Sequence, residues 1–297
     1  MSLIPQKLAI YYGWPNTVKD WTVAGAASVF KDYDLVVFGA GLEDSGHGDH
    51  QNTDDIISHT DMSSTECYGY VTVQTSQSAN ETKIDNWDAM GVAGIFCDEF
   101  GYDYGTKRSE QNDLVDYIHT KSLKAFVNAW KPEDALGNEQ VSPNNPQGTA
   151  HKLNTTDWYL CESYAVKDND YDDTDTDTDG HPDWKEKADK LVADYSGDIQ
   201  VACIGTTGTS SAGFTQAKAD YSYYATCMYG FDAWGWGEKN YSSAGGPGSL
   251  DFRTRKAVPE GTSLHGSVVK TGDVFEKNTN VGFHIDTDAH TVSDRLD

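Results

Sequence analysis

The chain has 297 residues, with 22 Lys and Arg against 47 Asp and Glu and a formal net charge of −25. That charge excludes a phosphate-binding surface for nucleic acid, which needs a basic face, and no stretch is apolar for long enough to insert into a bilayer. The length suffices for one large domain or two small ones around a sizeable core.

The first apolar run is "LAIYY" from Leu8, followed by the helical segment "DWTVAGAASVFKDY". The second, "LVVF" from Leu35, leads to Glu43 and Asp44 and a Gly-rich loop holding His47, Asp49 and His50. That loop reads as surface rather than as a transition-metal site, because neither strand nor helix supports its spacing. "CYGYVTV" from Cys67 is the third run. The fourth, "GIFC" from Gly94, stops in two carboxylates, Asp98 and Glu99; the next segment, "SEQNDLVDYIHTKSL", carries Leu114, Val115 and Ile118 on one apolar stripe, with Ser109 as N-cap. "AFVN" from Ala125 leads to Asn128 and Trp130, and "WYLC" from Trp158 to Glu162 and Tyr164. An Asp-rich insertion and the helical "DWKEKADKLVADY" come next, then "VACIG" from Val201, "TQAKADYSYYATCMYG", and "AWGWG" from Ala233, which runs into Glu238.

Eight such runs, about thirty residues apart with helical periodicity between them, predict an α/β fold of the (β/α)8 TIM-barrel type. The alternative, a doubly wound open sheet, lacks its phosphate loop, since "YYGWPN" after the first strand does not fit GxGxxG. The barrel is expected over 1–248. From 249 to 297 β-type alternation and turn pairs replace helical stripes, which predicts a small β appendage of two to four strands through which assembly partners could attach. The five cysteines form no CxxC pair and sit mostly in apolar runs, as buried thiols do.

In a TIM barrel the carboxyl ends of the strands open onto the active-site face. A strand that ends in acid therefore delivers acid to that face. Glycoside hydrolysis needs two carboxyl groups flanking the scissile bond, and Asp98 and Glu162 come from strands four and six. Alternation along a strand sends only one of Asp98 and Glu99 inward, with Asp98 favoured. Around them, Trp14, Tyr102, Asn128, Trp130, Tyr164, Trp236 and Glu238 fall at strand ends as candidate substrate-binding groups, the rings offering apolar faces to sugars.

"GIFCDEFGYDYG", "KAFVNAW", "WYLCESY" and "YYGWP" together resemble the TIM-barrel glycoside hydrolases related to spherulin 4 and the endo-α-1,4-polygalactosaminidases, over roughly residues 8 to 240. The resemblance implies a catalytic Asp after strand four and Glu after strand six, here Asp98 and Glu162. The chain departs from the family in the second acid Glu99, in the Asp-rich insertion after strand six, and in a start, "MSLIPQKLAI", without the features of a secretion signal.

The insertion, expected over 168–186, contains "DNDYDDTDTDTDGHPDWKE", which matches D-x-[DN]-x-[DN]-G-x5-E at Asp175, Asp177, Asp179, Gly180 and Glu186. Carboxylates at alternate positions can wrap one hard cation, with the carbonyl of His181 and with Asp183 adding oxygens and Glu186 closing the shell, so Ca2+ is the expected cofactor. The "DGHPD" core also resembles the calcium loops of thrombospondin type 3 repeats.

Of the acids 35 are Asp, and such self-repulsion is relieved by concentrated salt. The sequence thus predicts a carbohydrate-directed glycosidase of a high-salt environment, cytoplasmic or part of a virion. The alternative is a non-catalytic carbohydrate-binding or structural protein, such as a viral tail or surface component, using the same groove. The distance between Asp98 and Glu162 separates them: about 5 to 9.5 Å in an open groove fits hydrolysis, and a gap beyond about 12 Å, or burial under a loop, fits the binder.

Overall fold

The computed structural model describes residues 4–208, 213–238, 241, 255, 268–271, 274–277 and 283–294. Eight parallel strands close into a barrel: β1 (Gln6–Tyr11), β2 (Leu35–Phe38), β3 (Glu66–Thr72), β4 (Gly94–Asp98), β5 (Lys124–Asn128), β6 (Trp158–Glu162), β7 (Gln200–Thr206) and β8 (Ala233–Gly237). Each pairs with its neighbours in sequence, and β8 returns to β1 with Gln6 opposite Ala233. The chain is a TIM barrel, as its thirty-residue rhythm predicts.

Seven helices accompany the strands among the described residues: α1 (Val23–Phe30), α2 (His50–Ile57), α3 (Gln77–Ala89), α4 (Arg108–Thr120), α5 (Pro132–Leu136), α6 (Asp183–Tyr195) and α7 (Gln216–Tyr229). None is long and apolar enough to cross a membrane. Helix α4 starts at Arg108, ahead of the expected cap Ser109, because the Glu110 carboxylate accepts the Lys107 N–H and closes the first turn. Arg108 is buried and donates to the carbonyls of Asp134, Ala135 and Gly137, tying α4 to α5.

Strand alternation divides the apolar residues into two cores. Ile95, Cys97, Val127, Cys161 and Cys203 face outward to the helices. Ile10, Tyr68, Phe96, Phe126, Trp158 and Leu160 fill the barrel, with rings in edge contact such as Phe96 on Phe126 at 5.3 Å. All five cysteines are buried and none forms a disulfide.

The carboxyl-terminal part forms one antiparallel sheet of four strands in sequence order, β9 (Val268–Thr271), β10 (Val274–Lys277), β11 (Phe283–Asp286) and β12 (Thr291–Asp294). It docks on α7: Ile285 joins the outer core, and the buried Tyr224 hydroxyl donates to Asp294 at 2.8 Å. The expected boundary at 248 lies outside the described residues.

Candidate active site at the carboxyl ends of the strands

Each inward-facing residue of the barrel's upper layer stands two positions beyond a residue of the inner core. Asp98 follows Phe96, Asn128 follows Phe126, Glu162 follows Leu160, Tyr70 follows Tyr68 and Tyr12 follows Ile10. The period of two that buries the apolar members therefore turns these five inward at the barrel mouth, where Tyr12, Asp98, Asn128 and Glu162 line one cavity and Tyr70 bonds Asp98.

Asn128 joins the two acids. Its side-chain nitrogen donates to Asp98 Oδ1 at 3.0 Å and to Glu162 Oε2 at 2.8 Å. The hydrogens of an amide NH2 diverge by about 120°, so two oxygens that each take one of them lie about 5 Å apart. Tyrosines hold the other oxygens. Tyr70 donates to Asp98 Oδ2 at 2.8 Å and Tyr241 to Glu162 Oε1 at 2.6 Å, while the Glu99 N–H adds a third bond to Asp98 at 2.9 Å. Tyr12 stands between these two rings, 5.4 Å from each. Glycines make room for them: a Cβ on Gly39 would lie 2.8 Å from the Tyr12 Cα, and one on Gly237 2.7 Å from the Tyr241 ring.

Burial, then the charges of Asp98 and Glu162, push the hydroxyls of Tyr12 and Tyr241 well above the ordinary tyrosine range. Tyr70 is raised in the same way, by burial and then by Asp98. These hydroxyls stay protonated, which suits them as donors to carboxylates.

Directly after each of the two acids the chain takes a left-handed turn without glycine, at Glu99 with φ 56° and at Ser163 with φ 53°. Such residues cost about 1–2 kcal/mol each, and here both sit beside the carboxylate pair, where strain of this kind concentrates. The turn sends the Glu99 side chain away from Asp98 to accept the Thr72 hydroxyl, so Glu99 does not line the cavity.

The cavity encloses about 200 Å³ and is lined by Tyr12, Asp98, Asp103, Tyr104, Asn128, Trp130, Glu162 and Tyr241 over a floor of Ile10, Phe96 and Leu160. A larger hollow of about 480 Å³ between the starts of α3 and α4 holds Glu110, but that carboxylate caps α4. Of the expected binding residues, Asn128 and the exposed Trp130 line the carboxylate cavity. Tyr102 lies instead against the Arg108 guanidinium, 5.7 Å from its ring centre, and the exposed Tyr104 takes the place at the rim. Tyr164 is buried against Trp184 and Phe231. Trp236 points outward by alternation and packs on Phe214, and Glu238 is buried past the end of β8. Trp14 is exposed, but it stands over the loop after β2, edge-on to His47. Tyr104 and Tyr241 were not singled out from the sequence. Tyr104 carries the same strand-end signal as Tyr102, whereas Tyr241 carries no local signal.

No protein family and no curated protein matches the chain. Solved structures match in fold. The carboxyl transferase domain of Rhizobium etli pyruvate carboxylase, with 3-bromopyruvate, superposes with a TM-score of 0.50 at 9% identity over 84% of this chain, which spans 42% of that one. The YdjI aldolase of Escherichia coli K12 gives 0.45 at 12% identity over 78% of this chain and 75% of its own. At such identities the likeness concerns the barrel alone.

In the acidic insertion, Asp175, Asp177 and Asp179 each bring a carboxylate oxygen within 4.8 Å of the others. Asp175 Oδ2 accepts the Gly180 N–H at 2.8 Å, and Gly180 has φ 85°, a turn that glycine makes without strain. Asp175 Oδ1 is enclosed without a hydrogen-bond partner. Glu186 is raised by desolvation and then by Asp177, Asp179, Asp183 and Asp175, so it shares the field of the cluster. The side chain of Asp183 turns elsewhere: both its oxygens accept from Thr176. His181 contributes its N–H to Asp179 at 2.8 Å. The gathered donor set, Asp175, Asp177 and Asp179, is all oxygen, the kind a hard divalent cation takes.

Proposed function

We propose that the protein is a glycoside hydrolase that cleaves a polysaccharide or glycan with retention of anomeric configuration. The observation that carries this reading is the single Asn128 nitrogen bonded to both Asp98 and Glu162, which sets the two carboxylates about 5 Å apart. Asp98, short and gripped by three donors, is the nucleophile. Glu162, gripped by two, is the acid and base. In the first step Glu162 gives its proton to the glycosidic oxygen as Asp98 forms an ester bond to the anomeric carbon and the leaving chain departs. In the second, Glu162 takes a proton from water, which attacks that carbon and frees Asp98.

Trp130 and Tyr104 offer exposed rings for stacking on sugars. The cavity lining holds Asp98, Asp103 and Glu162 and no cation among the described residues, which favours an uncharged or amino-bearing sugar at the point of cleavage. Calcium at Asp175, Asp177, Asp179 and Glu186 belongs to the same reading, as the brace of the loop between β6 and α6. High salt is the setting in which a charge of −25 is screened.

The test is turnover of a polysaccharide panel by Asp98→Asn, Glu162→Gln and Glu99→Gln. The first two keep shape but delete the charge or proton that the chemistry uses, so each loses at least about 1000-fold in rate with the fold intact. Glu99→Gln stays within about tenfold. Wild-type turnover by Glu162→Gln overturns the assignment.

A further inference from the structure

We propose that the cavity beside the carboxylate pair is an anion subsite in which Lys167 and Lys187, gathered on Trp130, hold an acidic sugar next to the one being cleaved. This rests on the hydrolase reading for its register with the scissile bond, but not for the binding itself. The cavity, about 120 Å³, lies between the end of β6 and the start of α6. Glu162 and Trp130 line both this cavity and the carboxylate cavity, so the two adjoin at the proposed acid and base.

Lys167 Nζ stands 4.8 Å and Lys187 Nζ 4.1 Å from the centre of the Trp130 ring, within the roughly 6 Å range of cation–π attraction. Neither ammonium has a hydrogen bond or a salt bridge among the described residues, although each carries three donors. In a chain with 47 acids and 22 bases, Lys31, Lys83, Lys121, Lys124, Lys152, Lys185 and Lys190 each find a carboxylate, whereas Lys167 and Lys187, like Lys19, Lys107 and Lys131, pair with none among the described residues. Three acids line the cavity too, but Glu162 accepts from Asn128 and Tyr241, Asp172 accepts the Thr174 hydroxyl, and Asp183 is engaged by Thr176.

The lining therefore differs across Glu162: acids without a cation on one side, and two lysines on an exposed indole among acids already engaged by hydroxyls on the other. A glycan that fits both sides alternates an uncharged or amino sugar with one bearing a carboxylate, sulfate or phosphate. The indole and the two ammonium groups supply a stacking face and two point charges for that anionic sugar.

The experiment measures binding of uncharged, uronic-acid and sulfated oligosaccharides to the full chain and to a Lys167→Gln, Lys187→Gln double variant, at about 0.15 and about 1 M NaCl. Lys152→Gln, which removes the same kind of charge from an exposed pair with Asp116, is the control. The expected result is preferential binding of acidic oligosaccharides, weakened about tenfold by the double variant or by the higher salt and unchanged in the control. The uronic and sulfated arms identify the anion. Acidic glycans bound equally by wild type and double variant, or only uncharged glycans bound and cleaved, overturn the subsite and leave the hydrolase standing. Acidic glycans bound through the lysines but no glycan cleaved supports the subsite and overturns the hydrolase. No glycan bound under either salt condition overturns both.

Discussion

Replacing Asn128 by Ala removes the one group that both carboxylates share. Two charge-assisted hydrogen bonds disappear, at 3.0 Å to Asp98 and 2.8 Å to Glu162, and bonds of this kind contribute about 1.5–3 kcal/mol each. Neither acid is set loose entirely, since Tyr70 and the Glu99 N–H keep Asp98, and Tyr241 keeps Glu162. The positioning lost in the transition state is then about 2–4 kcal/mol, or roughly 30- to 1000-fold in kcat. Stability should change little, because both carboxylates are half-buried and water can replace the amide. Initial rates of reducing-end release, measured beside the melting temperature, give both quantities. An Asn128→Ala protein that turns over within about threefold of wild type, with the wild-type melting temperature, would refute the shared clamp.

Calcium at about 100 times its dissociation constant should stabilise the fold by about 2.7 kcal/mol, or about 5 °C in melting temperature; chelation should reverse this and Asp177→Asn abolish it, whereas a melting temperature indifferent to calcium and chelator removes the ion from the acidic loop. Raising NaCl from about 0.1 to about 3 M should raise the melting temperature, since the Debye length falls to about 3 Å near 1 M; a fall would contradict the charge-screening account. The tyrosines of the site, Tyr12, Tyr70, Tyr104 and Tyr241, are all held above the ordinary value, by burial first and then by neighbouring acids or rings. In the unfolded chain they ionise near about pH 10, so their contribution is whole below that pH and is lost as pH rises toward the higher folded values. Absorbance titration should show delayed ionisation with stability falling above about pH 10, and ordinary ionisation of all 17 tyrosines in a still folded protein would rule this out.

The barrel was legible in the sequence because its two periods are local: apolar runs about every thirty residues mark the strand–helix units, and alternation within a run marks the inward side. The same alternation put Asp98, two residues past Phe96, on the inner face, and the spacing of Asp175, Asp177, Asp179 and Gly180 is likewise a property of one short segment. Which aromatics reach the cavity was not local. Tyr102 and Tyr104 look alike in "GYDYG", and only the buried Arg108 decides that the first is spent on packing. Tyr164 and Trp236 sit at strand ends like Trp130, yet the packing of α6 over β6 and the outward phase of β8 bury them. The bridge of Asn128 between Asp98 and Glu162, the hydroxyl of Tyr241 on Glu162, and the meeting of Lys167 and Lys187 on Trp130 arise only when distant segments converge. Local periods along the chain determine which face of an element is apolar. Which polar groups meet is determined by closure of the barrel, because contact distances across its mouth depend on all eight strands at once.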